Sequence, residues 1–295
     1  MDNNAEYNTQ EQDHELQPIG RFANVSTYED IPPDGGYGWV CCICVFLINA
    51  NTWGVNSAWG ILLAHYISKG AFNATQLQYA LIGGLSISQA LLVSPLVSLA
   101  NEKLGIRTSL LIGTTLVSLS MLTSSFATQI WHLFLSQGAC FGYGMGFLYI
   151  SASTILPNWF SKRRSLAVGI SSSGAGFGGL AYNLGTGAAV ESLGLPSTYR
   201  LLALCTLLAN LSCSLLLKER SKIVRSQSQQ NNLCWGELAQ MQVVLLIVWG
   251  FATELGYIVL LYSLPSYALS IGLTAHEGSV VGAVLNLGLA FGRPA

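Results

Sequence analysis

The sequence predicts an all-α polytopic membrane protein, and three observations carry that reading. Only 9% of the 295 residues are charged, against about 25% in an ordinary soluble domain. Apolar runs long enough to cross a bilayer recur along the chain, which is 51% hydrophobic with a mean hydropathy of +0.48. The few cations cluster in the connectors between those runs. Trp159 to Gly179 shows the pattern in one stretch. Lys162, Arg163 and Arg164 hold a helix end at the aqueous boundary, and the Gly/Ser-rich run after them lets another helix backbone approach closely.

The same composition excludes several classes of function. With the loop cations fixing topology, no basic face is left for nucleic acid. Cys41, Cys42, Cys44, Cys140, Cys205 and Cys213 lie in apolar runs and act as small hydrophobes, while Cys234 lies in a polar loop. No metal-ligand spacing and no nucleophile–base pair is evident, so no metal, cofactor or enzymatic role is expected.

Residues 1–33 are acidic, aperiodic and too polar to order themselves, so they read as a disordered tail. Span 1 is expected from Trp39 to Leu63, with Asn49, Asn51, Asn56 and Ser57 facing other helices or a wet cavity. Span 2 is expected from Gln78 to Leu99, span 3 from Thr108 to Ala127, and span 4 from Trp131 to Leu156. Span 4 carries a small-residue stripe at Gly138, Gly142, Gly144 and Gly146. Span 5 should run from Ser165 to Val190 and span 6 from Tyr199 to Leu217. A polar Ser/Gln-rich linker, 218–240, divides a 34–217 bundle from a second bundle starting at 241. Span 7 follows from Met241 to Ser263, and span 8 from Glu277 to the last residue, Ala295.

Orientation follows from the cations. The tail and loops 2–3, 4–5 and 6–7 hold Arg21, Lys103, Arg107, Lys162, Arg163, Arg164, Lys218, Arg220, Lys222 and Arg225. The other loops hold only Lys69 and Arg200. That asymmetry puts the N-terminus in the cytosol, so the sequon at Asn73 would face outward and the one at Asn24 would stay bare.

Asp34-Gly35-Gly36-Tyr37-Gly38-Trp39 at the start of span 1 resembles the signature of monocarboxylate transporters, members of the major facilitator superfamily. Trp159 to Gly169 resembles their second signature, in the loop between spans 4 and 5. Asn286 to Pro294 is similar to the span 8 segment of fungal members, and Glu102 to Arg107 to a weakened form of the superfamily's loop 2–3 motif. The resemblance covers residues 32 to 295. It implies twelve helices in two six-helix halves with solute held between them near the midplane. The first half would be complete here, and the second would stop within span 8.

The resemblance also implies residue roles. Proton-coupled members carry a Lys in span 1, where this chain has Ser57. They pair an Asp and an Arg one turn apart in span 8, where this chain has Leu289 and Arg293. A guanidinium there is expected to meet an anionic solute, or else to reach for the interface. Glu254, a carboxylate in mid-span, is the proton-coupling candidate, with a protonated, helix-bonded Glu as the plainer reading. Asn56, Ser57, Tyr149 and Asn183 are candidate solute contacts, each otherwise an interhelical hydrogen-bonding group. Glu102, Lys103, Arg107, Lys162, Arg163 and Arg164 are expected to form a cytoplasmic gate or to set topology. The expected function is transport of a small organic solute, with a monocarboxylate the leading class and a proton as partner, by alternating access. Uniport of a non-carboxylate solute such as riboflavin, or a non-transporting fragment or sensor, are the alternatives. The plasma membrane is the expected residence, with a vacuolar or other internal membrane second.

Overall fold

The computed structural model describes residues 32, 34–70, 72, 74–219 and 240–293. Most of the acidic tail, both sequon asparagines, Arg21, Arg220, Lys222, Arg225, Cys234, Pro294 and most of the linker lie outside the described residues. Among those described, every regular element is helical. Residues 32–295 pack as one unit, which holds both the expected six-span bundle and the segment after the linker.

Span 1 is Tyr37–Lys69, longer than expected at its far end. Span 2 is two helices, Gln76–Leu92 and Ser94–Leu104, bent by 46°. The bend has a chemical cause: Pro95 lies in the first turn of the second helix, where its missing N–H is tolerated but its ring disrupts the turn before it. The expected span, Gln78 to Leu99, contains no break here. Span 3 is Ile106–Ser124, span 4 Ile130–Trp159, span 5 Arg164–Leu193 and span 6 Leu195–Leu216. Span 7 is Met241–Ser270 and span 8 Ala275–Gly292. The connections 2–3 and 5–6 shrink to single residues, Gly105 at φ 89° and Gly194 at φ 78°. Only glycine takes such angles readily, which is why Leu104 and Leu193 can be the last helical residues before each reversal.

Among the described residues, five helices are long and apolar enough to cross a membrane, or six with the bent pair as one. Spans 5 and 8 fall short of that measure. They are rich in Gly and Ala, with Ser added in span 5, and they pack on one another. A methyl group built on Gly178 would lie 2.5 Å from Ala50 of span 1, and one on Gly176 would run into the Ala290 backbone of span 8. Span 5 is thus held between span 1 and span 8 by main-chain approach, as small-residue seams allow in lipid. The rim carries the opposite chemistry. Leu245, Trp249 and Phe251 of span 7 are exposed, the surface expected of a helix facing acyl chains.

Span 1 loosens in its middle into a π-helical turn, Ala50–Gly54. Span 4 does so at Phe134–Cys140. The first of these places Asn49 and Trp53 on one wall of a cavity.

Candidate functional site

The two signature stretches meet at the end of the bundle that carries Lys162, Arg163 and Arg164, here termed the basic end. Asp34 accepts from the backbone N–H of Ser161 at 2.8 Å and of Arg163 at 3.3 Å through one carboxylate oxygen. Its own N–H donates to Trp159 O at 3.2 Å. Partial desolvation of Asp34 works against its charge. The N–H groups of Ser161, Arg163 and Lys162, with the Lys162 cation, outweigh it and hold the carboxyl below its ordinary value of 3.8. Trp39 meets Phe160 edge-on, with ring centres 5.0 Å apart.

Both stretches also reach the exit of span 6. Tyr37 Oη donates to Leu216 O at 2.6 Å, Trp159 Nε1 to Lys218 O at 3.1 Å, and Arg107 Nε to Leu217 O at 3.1 Å. Lys218 Nζ sits 4.6 Å above the Tyr37 ring. The side chains of Glu102, Lys103, Lys162, Arg163 and Arg164 are exposed. Arg107, also exposed, donates from Nε within the first six spans and so ties the start of span 3 to the end of span 6.

A cavity of about 520 Å³ opens nearer this end, between the first six spans and spans 7 and 8. Its walls are Asn49 and Trp53 of span 1, Tyr149 of span 4, Ser165, Val168, Gly169 and Ser172 of span 5, Glu254 of span 7 and Arg293. Four residues singled out from sequence, Asn49, Tyr149, Glu254 and Arg293, are thus brought together. Arg293 Nη1 donates to Ser172 O at 3.0 Å, and the rest of its donor fork is available to an anion. Trp53 and Tyr149 pack edge to face, 5.5 Å between centres. Trp53 and the span 5 wall were not foreseen, although helical spacing marks both. Trp53 follows Asn49 by one turn, and Ser165, Gly169 and Ser172 recur at i, i+4 and i+7.

Asn56, Ser57 and Asn183 do not line this cavity. They lie deeper, each about 1% exposed, in a network that joins spans. Asn56 Nδ2 donates to Tyr262 Oη at 2.9 Å, and Ser86 Oγ donates to Asn56 Oδ1 at 3.0 Å. Tyr262 Oη donates in turn to Gly83 O at 3.4 Å. Asn183 Nδ2 donates to Ser57 Oγ at 2.9 Å. Beyond this network a methyl on Gly60 would lie 2.8 Å from Leu261 O. The cavity is therefore closed on that side by polar bonds and close packing between span 1, span 2 and span 7.

Comparison with known proteins agrees with this architecture. The family described as the Major Facilitator Superfamily matches residues 41–295. The uncharacterized transporter ESBP6 of Saccharomyces cerevisiae is 35% identical over 92% of this chain and 42% of its own length. Monocarboxylate transporter 13 of Bos taurus is 33% identical over 52% of this chain and 36% of its own. The chain thus spans less than half the length of these curated relatives. Among solved structures, a D-xylose-proton symporter superposes with a TM-score of 0.61 at 14% identity, over 86% of this chain and 67% of that one, a likeness of fold. The relatives and the family are transporters rather than enzymes. Matched along nearly its whole described length and folded in the same way, this multi-pass membrane chain belongs to the Major Facilitator Superfamily, with fungal transporters and mammalian monocarboxylate transporters as its relatives.

Proposed function

We propose that this chain handles the solute in a transporter for small organic molecules bearing a carboxylate, working by alternating access. The observation that carries the reading is the cavity between the two sets of spans, with Arg293 in its wall. A guanidinium can grip a carboxylate bidentately, and a site between two packed halves can be exposed to either side in turn as they rock. In this reading the basic end faces the cytosol, the N-terminus is cytosolic, and the plasma membrane is the site of action.

The test is equilibrium binding of 3-phenylpropionate to the chain in lipid nanodiscs, followed by its uptake into vesicles holding the same protein. Arg293→Lys should weaken binding about tenfold, the loss of one bidentate contact. An unchanged affinity would place Arg293 at the interface and remove it from the site. A second reading, proton coupling through Glu254, is favoured by its position in the same wall. On that reading Glu254→Gln flattens the pH dependence of uptake, and a retained pH dependence would exclude it.

A further inference from the structure

The cavity carries both signs of charge. Arg293 and Glu254 face it from spans 8 and 7, and Tyr257 lies within electrostatic reach of both. A simple carboxylate held by Arg293 would share a confined space with a second carboxylate, and a simple amine held by Glu254 would share it with a guanidinium. Either arrangement costs affinity through like-charge opposition. Only a solute with two opposite charges satisfies both walls at once.

A separate observation agrees. Asn49 lines the cavity and is 5% exposed. Its Nδ2 donates to Ser171 O at 2.9 Å, which settles which way the amide points. That leaves Asn49 Oδ1 buried with no partner among the described residues. A buried acceptor of this kind calls for a donor, and the wall already holds a donor fork in Arg293. The unmet demand is for an N–H group, in a cavity wall that Glu254 shares. Trp53 and Tyr149 supply aromatic surface beside it, suited to an apolar or cationic group.

We propose that the solute is a zwitterion, a carboxylate and a protonated amine on one small skeleton. Arg293 takes the carboxylate, and Glu254 with Asn49 Oδ1 takes the ammonium. This rests on reading the cavity as the transport site, and the experiment separates the two. The probes share one skeleton: phenylalanine, 3-phenylpropionate and 2-phenylethylamine, measured by equilibrium binding at pH 7 in nanodiscs.

Phenylalanine should bind at least tenfold more tightly than either single-charge probe. Glu254→Gln should bring phenylalanine down to the level of 3-phenylpropionate while leaving 3-phenylpropionate unchanged or tighter, and Glu254→Asp should restore part of the preference. Glu254 is exposed at the cavity, so its variants should keep the melting temperature of the parent. If 3-phenylpropionate binds as well as phenylalanine and depends on Arg293, the site stands and the zwitterion is refuted. If Glu254→Gln flattens a pH dependence but leaves the ratio of the two affinities intact, Glu254 serves the proton alone and the proposal falls. If none of the three probes binds at millimolar concentration, both the proposal and the site beneath it are overturned.

Discussion

Removing the hydroxyl of Tyr262 tests how the far side of the cavity is closed. Tyr262→Phe keeps the ring and its packing, and it deletes the acceptor of Asn56 Nδ2 together with the long donor bond to Gly83 O. Asn56 Nδ2, now bonded to Tyr262 Oη at 2.9 Å, would be left without a partner in a residue 1% exposed. Asn56 Oδ1 would keep its bond from Ser86. A stranded buried donor costs about 1–3 kcal/mol in proteins generally, and hydrogen bonds between membrane helices measure about 0.6–2 kcal/mol. Taking about 1.4 kcal/mol, the closed arrangement loses about tenfold in population relative to one in which span 7 has moved away from spans 1 and 2. A cysteine introduced at Ala64, buried at 6%, reports this opening. Its labelling by a polar maleimide should run about tenfold faster in Tyr262→Phe than in the parent, with the background of the natural cysteines subtracted. If the rate changes less than twofold, the bond does not hold the halves together, and the closure has been assigned to the wrong residues.

Three other outcomes follow from the same geometry. Gly178→Leu forces a side chain into Ala50. Overpacking of this kind costs about 1–3 kcal/mol, so melting in detergent should drop by several degrees, whereas Gly185→Leu, at an open position, should melt as the parent does. Asp34→Ala removes both acceptor bonds to the 161–163 loop, and trypsin should then cut at Lys162 to Arg164 several-fold faster. Because the Asp34 carboxyl is held below 3.8, the protection it gives is complete above that pH and is lost only as pH falls through the lower folded value. Cleavage resistance should therefore be flat from pH 8 to 5, and a decline near pH 6 would contradict the assignment. Full-length expression in a glycosylating host should modify Asn73 and leave Asn24 bare, and the reverse would invert the expected topology.

The spans were legible in the sequence because lipid imposes one chemistry over about twenty residues, and cations marked the turns. What stayed hidden was local. The bend at Val93–Pro95 hid because a proline in a first helical turn looks the same whether a helix begins or continues there. The single-residue reversals hid because the helices run on through polar residues that read as loop, Asn101 to Lys103 before Gly105 and Glu191 and Ser192 before Gly194. For the site, polarity within an apolar run showed that a partner was required, yet could not show which. Asn56, Ser57 and Asn183 found theirs in neighbouring spans, while Tyr149, Glu254 and Arg293 found a cavity. The distinction is made by three-dimensional convergence, which spacing along one helix does not contain. The meeting of the two signature stretches through Asp34 had the same obstacle: more than 120 residues separate donor from acceptor.

The main-chain seam of span 5 against spans 1 and 8 has one more consequence. A joint formed largely by backbone has few protruding groups to disengage, so a small pivot or slip across it requires few rotamer exchanges. The proposed rocking would then have a bearing whose close contacts, Gly178 on Ala50 and Gly176 on Ala290, lie outside the residues that line the chamber.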